Sequence, residues 1–255
     1  NPNIDNIIPV TNKIRKSTFG FIKFIFEIRR KKYDAVVDVY SKLGTSLITF
    51  FSGAKYKVSY HKWYSKIFYN YSYERFDAIK SEYGLAIENR LLLLKPFFTE
   101  KITNVKPKIF LKDSEIEEAK GILKSYNIDP EKPLIMFGIL GSEWYKTYPL
   151  ENMAKIIDYT VEKLDADIIF NYIPSQKEDA LKLYNFCTAT TKKNIHLDLY
   201  SEGLRSFLAL LSQCDMLVGN EGGAVNMAKA LSVPTFSLFS PSVDKETWQI
   251  FENEK

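Results

Sequence analysis

The sequence predicts an α/β protein built on parallel sheets, and two observations carry that reading. Between residues 133 and 239, short apolar runs alternate with segments of helical period. Such alternation implies parallel strands joined by helices that cover both faces of a sheet. The second observation is local. Met216-Leu217-Val218 runs into Gly219-Asn220-Glu221-Gly222-Gly223-Ala224-Val225-Asn226-Met227-Ala228-Lys229-Ala230-Leu231 and then into Pro234-Thr235-Phe236-Ser237-Leu238-Phe239. This reads as a strand, a glycine turn, a small-residue helix and a strand. In such a unit the turn sits at the carboxyl edge of the sheet, where ligands bind. Paired glycines let the backbone approach an anion, and the helix start offers free N–H groups. A phosphate-bearing ligand is the functional reading; a plain tight turn is the competing one.

Taken in order, the first half predicts strands at 6–10, 34–39 and 56–60 and helices at 17–31, 45–52 and 75–94. Residues 95–112 carry Pro96 and Pro107 and little periodicity, which places a domain boundary at 112 and gives two domains, 1–112 and 113–255. A helix at 114–126 precedes Asp129-Pro130, and 133–139 is a buried strand. After a polar loop at 141–149, Met153, Ile156, Ile157, Tyr159, Val161 and Leu164 fall at helical spacing within 150–164. A strand at 167–172, a helix at 175–188, a short strand at 194–197 and a helix at 204–214 complete the series.

With 255 residues, 45% of them hydrophobic and 26% charged, the chain can bury a substantial core and is not disordered as a whole. A net charge of +4 suits anionic substrates or an anionic membrane surface but is too small to argue for nucleic acid. Cys187 and Cys214 lie in apolar helical contexts and read as core thiols, so no disulfide framework is expected and a reducing compartment is. No apolar run reaches membrane-spanning length, and no signal-peptide pattern appears.

Four stretches resemble glycosyltransferase family 9, the ADP-heptose:lipopolysaccharide heptosyltransferase family. Asn1-Pro2-Asn3-Ile4-Asp5-Asn6-Ile7-Ile8-Pro9 is similar to a turn in the family's first domain. Tyr33-Asp34-Ala35-Val36-Val37-Asp38, with Gly53-Ala54-Lys55 downstream, resembles its next strand and helix. Gly141-Ser142-Glu143-Trp144-Tyr145-Lys146-Thr147-Tyr148-Pro149 resembles its loop of small residues, Lys and Trp-Pro. Residues 219–241 are similar to its most diagnostic motif, Asp-(Ser/Thr)-Gly-x-x-His followed by Ala-x-Ala-Leu-x-x-Pro. Glu221, Gly222 and Asn226 stand where the family usually has Asp, Ser or Thr, and His. Glu221 keeps a carboxylate; Asn226 keeps hydrogen-bonding capacity but carries no positive charge.

The resemblance implies a GT-B-like fold: two Rossmann-like domains with parallel sheets facing a cleft, the first for the acceptor and the second for the nucleotide-sugar. It implies an inverting, metal-independent transferase that moves a sugar, in this family a heptose, from a nucleotide-diphosphate donor such as ADP-heptose to a lipopolysaccharide-type glycolipid. It also implies that this chain lacks the opening strand-helix-strand, with the family's catalytic Asp, and the closing helices. The expected location is the bacterial cytoplasm, with peripheral contact at the inner face of the inner membrane.

Glycosyl transfer requires stabilisation of the leaving diphosphate and removal of a proton from the acceptor hydroxyl. The first role falls to Ser142, Lys146 and the backbone N–H groups of Gly222, Gly223 and Ala224, with the Asn226 amide able to bond a phosphate; Glu221 joins them as a donor-binding residue through the motif, and a solvated lysine and a turn serine are the plain alternatives for the first two. Gln176 or Glu178 would hold the ribose, although an acid at a helix start also has a structural use. Asp38, ending a strand in the acceptor half, is the carboxylate left for the proton, with a helix cap as its alternative. His61 and His196 lack ligand-spaced partners for zinc. Asp165-Ala166-Asp167 imitates a metal-binding Asp-x-Asp but precedes its strand, so no metal and no cofactor are expected.

Basic and aromatic residues mix in 13–32 and 60–76. Nucleic-acid binding uses such mixtures, but contact with a phosphorylated glycolipid at an anionic membrane surface is preferred. The rival readings are a nucleotide-sugar epimerase of the same architecture and a non-catalytic nucleotide-sugar-binding module.

Overall fold

The computed structural model describes residues 1–81, 83–100, 102, 105–243 and 245. The chain forms two units, Pro2–Val105 and Lys106–Lys245, each around its own parallel sheet.

In the first unit, α1 (Asn12–Lys16) and α2 (Thr18–Arg30) start on Thr11 and Ser17, whose hydroxyls accept the N–H groups of Ile14 and Gly20. There follow β1 (Ala35–Asp38), α3 (Leu43–Phe51), β2 (Tyr56–Tyr60), α4 (Ser65–Phe68), β3 (Tyr71–Tyr73) and α5 (Leu85–Leu92). The strands pair in the order β1-β2-β3, all parallel. Val58, Tyr60 and Leu93 form the buried centre.

Two expectations fail in this unit, and one strand goes unforeseen. Residues 6–10 form no strand, and Ile7 is 84% exposed: an apolar run with no neighbour to pair its N–H and C=O groups does not become one. The helix expected over 75–94 is confined to α5. Side chains from α5 hold the preceding segment open. Asn89 bonds both the N–H (2.7 Å) and the C=O (3.2 Å) of Phe76, and the Glu88 carboxylate accepts Lys80 N–H at 3.0 Å. Gly84, at φ +79, then opens the helix in a conformation closed to most residues. Strand β3 was not expected at all.

In the second unit, α6 (Asp113–Ser125) precedes β4 (Leu134–Gly138), α7 (Leu150–Leu164), β5 (Asp167–Asn171), α8 (Lys177–Phe186), α9 (Leu204–Leu211), β6 (Met216–Asn220), α10 (Gly223–Leu231) and β7 (Thr235–Leu238). All strands are parallel, in the order β5-β4-β6-β7. The strand expected at 194–197 reduces to a single bridge, Ile195 to Ile168. Alternation along β4 splits the core in two. Ile135 and Phe137 pack with Met153, Ile157 and Leu183 of α7 and α8, while Leu134 and Met136 pack with Leu210, Val225 and Ala228 of α9 and α10. Helices therefore cover both faces, and β4 is apolar throughout because neither side meets water. Cys187 and Cys214 are free and buried, and burial pushes both thiols up to about 12.

Candidate functional site

The strand order places a reversal at the centre of the second sheet. From β4 the chain crosses to β5 through α7 on one face; from β6 it crosses to β7 through α10 on the other. Ligands bind outside the carboxyl ends of strands at such a switch point. The loop after β4 carries Ser142 and Lys146, and the turn after β6 carries Glu221, Gly222 and Gly223.

Glycine makes this approach of strands possible. A Cβ on Gly219 would lie 2.5 Å from the carbonyl oxygen of Gly138 on the paired strand. A Cβ on Gly141 would lie as close to the Lys146 carbonyl oxygen, so the loop can close on itself only with glycine there. Residues 144–146 form a 3₁₀ turn. Thr147 Oγ1 accepts Gly141 N–H at 3.0 Å and donates to Glu143 O at 3.1 Å. Ser240 Oγ donates to Tyr145 O at 2.9 Å. Asn220, buried at the end of β6, accepts Tyr148 N–H at 2.6 Å and donates to Gly138 O at 3.1 Å. Sequence reading missed Asn220 and Thr147; the available signal for Asn220 was a lone amide ending an otherwise apolar buried strand.

Helix α10 starts beside this loop. Gly222 and Gly223 are not demanded by sterics: a Cβ at either meets nothing closer than 3.8 Å. Their lack of side chains instead leaves the first amides of α10 open to an approaching anion. Glu221 is held by its N–H to Leu238 O at 2.9 Å. Burial pushes its carboxyl above the usual range, and the charges of Lys146 and Lys229 pull the other way, so Lys146 lies within electrostatic reach. One amide hydrogen of Asn226 turns back to Gly222 O at 3.2 Å. Ser142 is exposed, and Lys146 is half-buried.

Ala224 and Met227 of α10 also line a cavity of about 350 Å³. Its other walls include Met136, Ile169, Tyr172, Leu199, Tyr200 and Phe207, with Asn171 and Ser201 as polar points. Tyr172 is fixed by its hydroxyl, which donates to Leu197 O at 3.1 Å, and its ring lies 5.8 Å from that of Tyr200. Gln176 sits at the following turn with Oε1 accepting Ile173 N–H at 3.0 Å, and Glu178 is exposed in the first turn of α8. Gly222, Gly223, Ala224, Glu221 and Lys146 are thus brought together, with Gln176 following the Tyr172–Ile173 wall.

Asp38 lies in the other unit and ends β1. It is 6% exposed. Oδ1 accepts the N–H groups of Tyr40 and Ser41 at 3.0 and 2.8 Å, and Oδ2 accepts the Tyr69 hydroxyl at 2.7 Å. The carboxylate thereby anchors the turn ahead of α3 rather than the helix start itself. Around it the carboxyl edge of this sheet is cationic. Arg75 lies 4.0 Å over the Tyr60 ring, Lys42 lies 4.7 Å over Tyr40, and Lys62 Nζ donates to Ser41 O. Among the described residues none of the three has a carboxylate partner.

The Asp-x-Asp carboxylates are engaged elsewhere: Asp165 pairs with Lys132 at 2.8 Å and Asp167 with His196 at 2.9 Å. Among the described residues no group of three or more His, Cys, Asp or Glu is placed to hold a metal ion.

The sequence model of glycosyltransferase family 9 (heptosyltransferase) matches residues 21–255. The chain belongs to glycosyltransferase family 9. It is a transferase, and its relatives agree. A lipopolysaccharide heptosyltransferase 1 of Campylobacter coli is 23% identical, with 93% of this chain and 70% of that protein covered. A family 9 glycosyltransferase structure from Veillonella parvula superposes with a TM-score of 0.80 at 19% identity, covering 98% of this chain and 70% of the other. An E. coli heptosyltransferase solved with ADP-2-deoxy-2-fluoro heptose gives 0.67 at 18% identity, covering 98% and 77%. These structural likenesses establish the fold, which is the GT-B type expected from the sequence. Among the described residues no helix is long and apolar enough to cross a membrane.

Proposed function

We propose that this family 9 enzyme transfers a heptosyl group from a nucleotide-diphosphate heptose, ADP-heptose in the first instance, to a hydroxyl of a lipopolysaccharide-type glycolipid. One observation carries the reading: the open amides at the start of α10 border a base-sized cavity through Ala224 and stand within electrostatic reach of Lys146 through Glu221. The cavity of about 350 Å³ falls within the range of small-molecule sites and is mostly apolar, as a nucleobase requires. The diphosphate lies on the N–H groups of Gly222, Gly223 and Ala224, with Lys146 and Ser142 completing its shell; Gln176 and Asn171 serve the ribose. The solved neighbour with an ADP-heptose analogue supports this choice of donor.

In this reading the acceptor hydroxyl attacks the anomeric carbon from the face opposite the diphosphate, with inversion. The bond to the diphosphate oxygen breaks, and its growing charge is met by Lys146 and the α10 amides, so transfer proceeds without a metal. The cations Lys42, Lys62 and Arg75 hold anionic groups of the acceptor. Asp38 shapes that edge and is the carboxylate of this chain nearest to the role of proton acceptor. The enzyme works in the cytoplasm, at the inner face of the membrane that carries its acceptor.

The test is a thermal-shift series with ADP, UDP, GDP, CDP and ADP-heptose on the protein and on Lys146→Ala. ADP and ADP-heptose raise the Tm of the native chain, and Lys146→Ala loses most of that rise. A series in which no nucleotide shifts the Tm sinks the reading. Sugar released or isomerised without any acceptor present favours the epimerase instead.

A further inference from the structure

The first unit holds a second cavity, about 430 Å³, which the donor site does not use. Its apolar lining is Phe76, Leu91, Leu92, Leu94, Phe98 and Ile102. Lys80, Lys95 and Glu100 are among its polar lining residues. Close-packed interiors leave few voids larger than a water molecule, so an apolar recess of this size is a place for a ligand.

Its walls are pre-formed. Glu88 lines the cavity but is 6% exposed, and its oxygens are taken by Lys80 N–H (3.0 Å) and Ser81 Oγ (2.6 Å). It therefore fixes the wall rather than presenting a charge. The two bonds from Asn89 to Phe76 fix the other end of the same wall. The Lys80 ammonium stands 3.7 Å from the Phe76 ring centre and the Lys95 ammonium 5.6 Å from that of Tyr73. Neither has a carboxylate partner among the described residues. The cavity is also continuous in sequence with the cationic edge: Arg75, stacked on Tyr60, is followed directly by Phe76 in the cavity wall.

We infer that this cavity binds an acyl chain whose anionic head is met by Lys80 and Lys95. An apolar recess excludes a saccharide, and two ammonium groups in its lining, without a carboxylate partner among the described residues, select a negative head over a neutral one. The inference rests on the glycolipid reading of the acceptor and deepens it, since it gives the lipid portion of that substrate, or a lipid of the surrounding membrane, a place on the enzyme.

The experiment is calorimetric titration of the whole chain with dodecyl phosphate below its micelle concentration, against dodecyl maltoside and inorganic phosphate. Dodecyl phosphate binds saturably at one per chain, and at least tenfold more tightly than either comparison ligand. Thr99→Trp, which fills the recess from an exposed wall position, and the double variant Lys80→Ala/Lys95→Ala each weaken it at least tenfold. Both variants keep the native Tm rise with ADP, which shows that they are folded. Binding no tighter than inorganic phosphate, or unchanged in both variants, overturns the inference. If ADP binding holds while dodecyl phosphate fails, the cavity assignment alone is wrong; if ADP also fails, the donor reading fails with it. Competition with phosphatidylglycerol vesicles and with lipopolysaccharide, acylated and deacylated, separates the sources. Displacement by the vesicles identifies membrane lipid, and displacement by acylated lipopolysaccharide alone identifies the acceptor. Displacement by neither, or equally by the deacylated form, overturns the inference.

Discussion

Asn220 and Tyr148 are joined across the carboxyl edge of the second sheet: the buried side-chain oxygen of Asn220 accepts the Tyr148 N–H at 2.6 Å, while its nitrogen holds Gly138 O at 3.1 Å. One amide thus ties the ends of β4 and β6 to the loop that presents Lys146. Asn220→Ala leaves two backbone groups unpaired and costs about 2–3 kcal/mol of stability by chemical denaturation. It also weakens nucleotide binding roughly tenfold, about 1.4 kcal/mol, because the loop is no longer held. A variant with wild-type nucleotide affinity would show that this bond does not position the loop for binding.

The glycines of the motif separate fold from function. Gly219→Ala drives a methyl into Gly138 O and costs ~1–3 kcal/mol or more by forcing β4 and β6 apart. Gly223→Ala has room, so the Tm stays level or rises, yet the methyl crowds the open amides and ADP binding weakens. Equal loss of Tm in both variants contradicts the second half of that expectation.

Ser41 combines a φ of +51 with a buried hydroxyl that has no hydrogen-bond partner among the described residues. Left-handed backbone costs a non-glycine residue about 1–2 kcal/mol. An unpaired buried hydroxyl adds ~1–3 kcal/mol, and glycine's chain entropy returns roughly 0.5–1 kcal/mol of that. Ser41→Gly is therefore stabilising by at least about 1 kcal/mol, read as a rise in denaturant midpoint. Ser41→Ala recovers only the hydroxyl share.

Tyr69 is pushed up to about 12 by burial and by its bond to Asp38. Its folded value lies above the ordinary 10, so its stabilising effect is complete below pH 10 and is lost as pH rises through about 12. Tyr69→Phe removes this part of the alkaline unfolding limb. At neutral pH it costs ~1.5–3 kcal/mol, the scale of a hydrogen bond to a charged group. Unaltered alkaline unfolding would falsify the role given to the pair.

Arg205 forks onto Glu115, through Nε to Oε1 at 2.7 Å and through Nη2 to Oε2, and Lys112 N–H adds a third donor at 2.7 Å. The guanidinium and that N–H hold the carboxyl down at about 2 against an ordinary 4.5. The associated stability is complete above pH 4.5 and lost as pH falls through about 2. Acid unfolding of Glu115→Gln is accordingly shallower over that window than that of the native chain.

Helix α7 and strand β2 were legible from sequence with their bounds, 150–164 and 56–60. The first shows a clean apolar period behind Pro149, and the second alternates Tyr56, Val58 and Tyr60 with Lys57 and Ser59 ahead of His61 and Lys62. The strand expected at 6–10 has similar apolar content but no partner, and pairing is a property of two segments. Residues 75–81 read as helix because their local pattern permits one; Asn89 and Glu88, reached only through the fold, hold Phe76 and Lys80 in another form.

The candidate donor site divides in the same way. The strand, glycine turn and small-residue helix were written locally, because backbone conformation and apolar period act within a few residues. So was the family they belong to. The bond from Asn220 to Tyr148 spans 72 positions, the cavity gathers walls from β4, β5, α9 and α10, and the partners of Asp38 come from the loop after it and from Tyr69, 31 positions on. Those contacts exist only after the sheets have brought distant segments together, since burial and hydrogen-bond satisfaction depend on what lies nearby in space.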